Sequence, residues 1–203
     1  MTASPIPRWL PNAISAFRLV LVPFGVWVAE WQREAAAEGE DLGGPPWLLL
    51  VLLVLGGSDL LDGWLARRYS LTTRFGATLD AFADKIAQIT FVTYFAFRGA
   101  PVYVGIPMWF WGIATARDAA LAIGYLVLRR RRGQVDTEHA KHGKAASLVF
   151  SLLILSVAAR LPVTLIHIGI AVVSVMILGS AATYVLAGWR ELRADPKREP
   201  PEG

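Results

Sequence analysis

The sequence predicts an all-α, polytopic membrane protein with six transmembrane helices and both termini in the cytoplasm. Composition is the first reason. Of 203 residues, 55% are apolar and only 18% charged, and the mean hydropathy is +0.46. An ordinary soluble domain carries about 25% charged residues, so this chain has too little charge to solvate a globule of its size. The second reason is recurrence: nearly charge-free apolar stretches return along the chain, each close to the roughly 20 residues that a spanning helix needs. The third is periodicity. Only helices and closed barrels satisfy every backbone group in lipid, and these stretches lack the period-two alternation of barrel strands. The chain has no cysteine, which excludes a disulfide scaffold and thiolate-ligated metal centres. The net charge of +4 does not point to nucleic acid, because the basic residues punctuate apolar segments instead of forming one stripe.

The first span is expected over Ala13–Glu30. It contains Arg18 and Pro23, which interrupt the apolar run and argue against a cleaved signal peptide despite Arg8 before it and Ala35–Ala37 after it. An acidic connection with Glu30, Glu34, Glu38, Glu40 and Asp41 leads to the second span, Trp47–Ala66. The third and fourth spans are expected over Ala77–Phe97 and Gly105–Leu128. The fifth, Ala145–Ala159, is short, with an alternative start near His139; the sixth runs from Pro162 to Gly188. Residues 1–190 read as one membrane domain, and the charged, Pro-rich residues 191–203 as a disordered cytoplasmic tail.

Orientation follows from Lys and Arg. One set of connections holds Arg8, Arg67, Arg68, Arg74, Arg129–Arg132, Lys141, Lys144, Arg190, Arg193, Lys197 and Arg198; the other holds only Arg33, Arg98 and Arg160. The first set is therefore expected in the cytosol. Trp9, Trp64 and Trp189 fall near the inner boundary, and Trp27, Trp31 and Trp47 near the outer one, as an aromatic belt requires.

Within this apolar chain the informative residues are acidic. On a helix, Asp59, Asp62 and Ala66 share one face at i, i+3 and i+7, and Gly76, Asp80 and Asp84 share another at i, i+4 and i+8. The connection between the two helices is short, so they are expected to be antiparallel neighbours with all four carboxylates converging in the cytoplasmic leaflet. One Asp near a bilayer centre costs about 2.5–3.5 kcal/mol on insertion scales, and like charges this close repel. Divalent cations would compensate, and an all-oxygen cage suits magnesium or manganese. Two such ions about 4 Å apart would suit phosphoryl chemistry. Gly56, Gly57, Gly63 and Gly76 leave room for a substrate. The bland alternative has the aspartates capping helices or pairing with Arg67, Arg68 and Lys85.

The pattern Asp59-x-x-Asp62-Gly63-x-x-Ala66-Arg67, then Gly76-x-x-x-Asp80-x-x-x-Asp84, resembles the signature of the CDP-alcohol phosphatidyltransferase family at every fixed position. The opening Pro11-Asn12-Ala13-Ile14-Ser15 with Arg18 and Pro23, then Ala116-Arg117-Asp118 and Gly143-Lys144-Ala145-Ala146-Ser147, extend the resemblance over most of the chain. The resemblance implies a dimeric, six-helix enzyme of the bacterial cytoplasmic membrane, its site facing the cytosol. Such an enzyme transfers a phosphatidyl or related group from a CDP-linked donor to an alcohol and releases CMP. It also implies roles. Asp59, Asp62, Asp80 and Asp84 would hold two divalent cations, and Asp84 would be the general base for the acceptor hydroxyl. Gly63, Ala66, Arg67 and Gly76 would hold the cytidine diphosphate part, with Asn12 nearby.

Thr73-Arg74-Phe75-Gly76-Ala77, followed by Leu79-Asp80 and Ala83-Asp84-Lys85, is most similar to bacterial phosphatidylglycerophosphate synthases. That implies CDP-diacylglycerol as donor and sn-glycerol 3-phosphate as acceptor, with Arg117 and Lys144 on the acceptor phosphate. Arg117 pairing with Asp118, and Lys144 snorkelling to the interface, are the alternatives. Departures at Ala81, Asp118, Ala146 and Ser147 leave open cardiolipin synthases, whose acceptor is phosphatidylglycerol. Lys85 is less like the inositol-phosphate branch. His139 and His142 lack a third ligand and read as solvated. A divalent-cation transporter is the rival class, but it needs ionisable groups reaching both leaflets, and here the acidic cluster sits at one side.

Overall fold

The computed structural model describes residues 10–40, 46–69, 74–132 and 140–193. Among them are six helices and no strand: α1 (Leu10–Ala37), α2 (Trp47–Arg68), α3 (Arg74–Phe97), α4 (Met108–Arg132), α5 (Ala140–Ala158) and α6 (Val163–Arg193). Each expected span has its helix, and the differences are at the ends. α1 runs on through Trp31–Ala37, where Gln32, Glu34 and the three alanines are strong helix formers. It stops at Gly39, whose φ of +82° is the left-handed conformation that closes a Schellman motif, with the Glu40 N–H on the Ala35 carbonyl at 3.0 Å. α5 ends in the same motif, with Arg160 taking the left-handed place at φ +54° and the Leu161 N–H on the Ser156 carbonyl at 3.1 Å. α5 starts at Ala140, the earlier of its two expected starts. α6 continues to Arg193, so the start of the expected tail is helical, and residues 194–203 lie outside the described residues.

Among the described residues two helical segments, Ala13–Ala37 and Val163–Ser180, are long and apolar enough by themselves to cross a membrane, and Trp47–Ser58 and Ser147–Ala158 are shorter apolar runs. The outer surface nevertheless suits lipid. Val20, Leu53, Ile89, Ile123, Leu152 and Val175 are all exposed, one from each helix, and a soluble monomer rarely shows so continuous an apolar exterior.

The interior is apolar and aromatic: Phe91, Phe95, Phe110, Phe150, Val157, Ile166 and Val173 are buried together. α1 packs along both α2 and α3, α6 packs against α5 and α4, and α3 touches α4 and α5. Direct packing of α2 against α3 is slight among the described residues. α1 is the element on which both α2 and α3 lean. The close approach of α1 to α3 requires Gly25: a Cβ there would lie 2.7 Å from Phe91 Cζ and 3.4 Å from Val51 Cγ1.

At the end of the bundle opposite the aspartates, polar side chains tie the helices. Glu30 accepts from Arg33 at 2.5 Å, from Arg98, and from the Tyr94 hydroxyl at 3.1 Å. Gln32 Oε1 accepts from the Leu48 N–H at 3.3 Å, covering an otherwise orphaned donor at the start of α2, and from the Tyr103 hydroxyl at 2.7 Å. Burial pushes the Tyr103 phenol up to about 12, so it remains a donor at ordinary pH. Replacing Gln32 with Leu should cost about 1–3 kcal/mol, the usual penalty for stranding buried donors. A lowered melting temperature in detergent micelles is the expected reading; an unchanged one would show that water replaces Gln32 there.

Candidate active site

α3 is the spine of the site. It carries Asp80 and Asp84 one turn apart on the same face, both partly exposed. The α2 backbone carries Asp59 and Asp62 at helical positions one turn apart. The side chains of Asn12, Asp59, Asp62, Ala66, Arg67 and Lys144 lie outside the described residues, although the backbone at each is helical. Gly63 and Gly76 are half-buried in α2 and α3. Gly56 and Gly57, nearer the middle of α2, have no described atom within 4 Å of where a Cβ would stand.

The described partner of Asp80 is neither Arg68 nor Lys85. Asp80 Oδ1 accepts from the guanidinium of Arg18 on α1, and the same Arg18 nitrogen lies 3.3 Å from Ser15 Oγ. The two partners differ sharply in burial: the Arg18 side chain is 2% exposed and the Asp80 side chain 42%. Arg18 was legible only as part of the opening motif. Its partner is 62 residues away in sequence, so no local spacing could have joined them.

Lys85, adjacent to Asp84, turns toward α4. Its Nζ lies 3.1 and 3.2 Å from the two Asp118 oxygens and 3.1 Å from Gln88 Oε1. Gln88 Nε2 in turn donates to the Ser147 carbonyl and to Ser151 Oγ, both at 3.1 Å, fastening α3 to α5. Arg117 Nη1 also donates to Asp118, at 3.2 Å, as its bland reading expected. Asp118 therefore holds two cations at once, and Arg117 and Asp118 are each only 9% exposed. The buried Arg117 Nε has no hydrogen-bond partner among the described residues. Sequence reasoning missed the junction of Lys85, Gln88, Asp118, Ser147 and Ser151. The one available signal was Gln88, a polar residue in an apolar stretch one turn beyond Asp84.

Asp80 and Asp84 offer only carboxylate oxygens, hard donors that fit an oxyphilic divalent cation such as Mg2+ or Mn2+. Among the described residues no three metal-ligating side chains gather, and Asp59 and Asp62, the other carboxylates of the expected set, are outside them. What is described therefore fits half of a metal site: a ladder of oxygens on α3 with its buried side closed by Arg18.

Residues 8–185 match the family described as CDP-alcohol phosphatidyltransferase. The chain belongs to that family. The match takes in all six helices except the last residues of α6. A cardiolipin synthase (CMP-forming) of Streptomyces coelicolor is 33% identical over 154 residues, covering 72% of this chain and 65% of the relative. A CDP-diacylglycerol–glycerol-3-phosphate 3-phosphatidyltransferase of Escherichia coli is 38% identical over 81 residues, 38% of each chain. The chain thus spans less than two thirds of the length of these relatives.

Proposed function

We propose that the protein transfers a phosphatidyl group from CDP-diacylglycerol to a glycerol hydroxyl and releases CMP. The observation that carries this reading is the α3 ladder of Asp80 and Asp84 inside a chain that matches the family over residues 8–185. Asp59, Asp62, Asp80 and Asp84 would hold two divalent cations, which when bound would neutralise charge on the donor pyrophosphate. Asp84 accepts the proton of the attacking hydroxyl as its oxygen forms the new bond to the phosphorus of the phosphatidyl group and the bond to the CMP oxygen breaks. Arg67 adds positive charge at the departing CMP, while Gly63, Ala66 and Gly76 let the nucleotide lie against the helices, with Asn12 nearby. All six helices cross the bacterial cytoplasmic membrane in this reading, the termini and the aspartates face the cytosol, residues 1–190 act as one domain, and the protein works as a homodimer.

The acceptor we propose is sn-glycerol 3-phosphate, on the strength of the Thr73–Lys85 stretch, with Arg117 and Lys144 meeting its phosphate. The unpartnered Nε of Arg117 supports a role for that side chain beyond its pair with Asp118. Phosphatidylglycerol is the second reading. It is favoured by the longer similarity to the Streptomyces protein and by Asp118, which already neutralises two nearby cations. Purified protein in mixed micelles with CDP-diacylglycerol and Mg2+ or Mn2+ should release CMP when given glycerol 3-phosphate, and chelation should abolish that release. Release with phosphatidylglycerol alone would establish the second reading. Release with neither acceptor would refute both.

A further inference from the structure

We infer that Arg18 is a positioning residue for the metal site, holding the Asp80 carboxylate in the orientation that cation binding needs. The inference rests on the metal reading above and extends it to a helix that carries none of the aspartates. A guanidinium that is 2% exposed in an apolar bundle is costly unless it is paired. One carboxylate that it meets is that of Asp80, 62 positions away in the chain, whose side chain is 42% exposed.

A pair that served only to staple α1 to α3 would bury both members. That task is already met at the opposite end by Glu30 with Tyr94 and Arg98, and between the two by Gly25 against Phe91. The Arg18–Asp80 pair instead has one member fixed inside the bundle and the other facing open space. The guanidinium takes Oδ1, and no described residue donates to Oδ2. Ser15 Oγ, one turn before Arg18 on α1, accepts from the same guanidinium nitrogen and helps hold it in place. This is the arrangement in which outer partners orient metal-binding carboxylates, and loss of such a partner typically costs about 10–100-fold in metal affinity or activity.

The sign of the effect separates positioning from simple electrostatics. Removing a positive charge beside a carboxylate cluster would, by Coulomb attraction alone, tighten cation binding. Loss of orientation weakens it. The test is Mn2+ binding to purified protein in micelles, read by the electron paramagnetic resonance signal of free Mn2+, with no substrate present. Arg18→Met should weaken Mn2+ binding about 10–100-fold, and Arg18→Lys, which keeps the charge but loses the planar fork, should recover part of it. In an Asp80→Asn background, adding Arg18→Met should change Mn2+ affinity no further.

Unchanged or tighter binding in Arg18→Met would overturn the inference, as would a further loss in the Asp80→Asn background. If Arg18→Met does not fold, the comparison of Arg18→Lys with wild type decides by the same criterion. Wild-type protein that binds no Mn2+ would instead refute the metal reading itself.

Discussion

Asp84→Asn is expected to abolish turnover, lowering CMP release by about 10²–10⁴-fold, the range that a positioned general base contributes. The amide is close to the carboxylate in size and remains polar, so α3 should keep its helix and its packing against α1. It cannot accept the hydroxyl proton. Donor binding should survive, because the parts assigned to the nucleotide, Gly63, Ala66, Arg67 and Gly76, lie elsewhere on α2 and at the start of α3. Two measurements check this: CMP release, and binding of CDP-diacylglycerol to the same preparation. A variant that turns over at the wild-type rate would remove Asp84 as base. One that loses donor binding together with turnover would make it a ligand only.

Gly25→Val should be the most damaging single change outside the site. Phe91 is 1% exposed and lies across the α1–α3 contact, so it has nowhere to go when a Cβ arrives 2.7 Å from its ring. Overpacking of this kind costs typically 1–3 kcal/mol, and a β-branched side chain adds two methyl groups to the Cβ that already clashes. The expected outcome is poor recovery of folded protein from membranes and a lower melting temperature. Gly56→Val is the matched control, since no described atom lies within 4 Å of the place its Cβ would take. Equal stability of the two variants would show that α1 and α3 can separate without cost. A separation there would also move Arg18 relative to Asp80, so Gly25→Val should weaken Mn2+ binding in whatever protein still folds.

The helices and the acidic ladder were legible for one reason. Charges in long apolar runs are expensive, so Asp80 and Asp84 stand out against Ala, Phe and Ile without any structural knowledge. Helix ends were less legible. The stretch Trp31–Ala37 reads as an acidic connection by charge but as helix by propensity, and propensity prevailed up to Gly39. The pairing of charges was legible only where it is local: Arg117 with Asp118 was anticipated from adjacency, whereas Arg18 with Asp80 and Lys85 with Asp118 were not.

By itself, then, the sequence determined the helical class, the number of helices and the carboxylates shared by one face of α3, because each depends on composition and local periodicity. Tertiary structure alone decided that Arg18 meets Asp80 and Lys85 meets Asp118, that α1 lies against both α2 and α3, and that Gly25 faces Phe91. Those outcomes depend on groups 26 to 66 residues apart in the chain, and only packing of the helices brings such groups within reach.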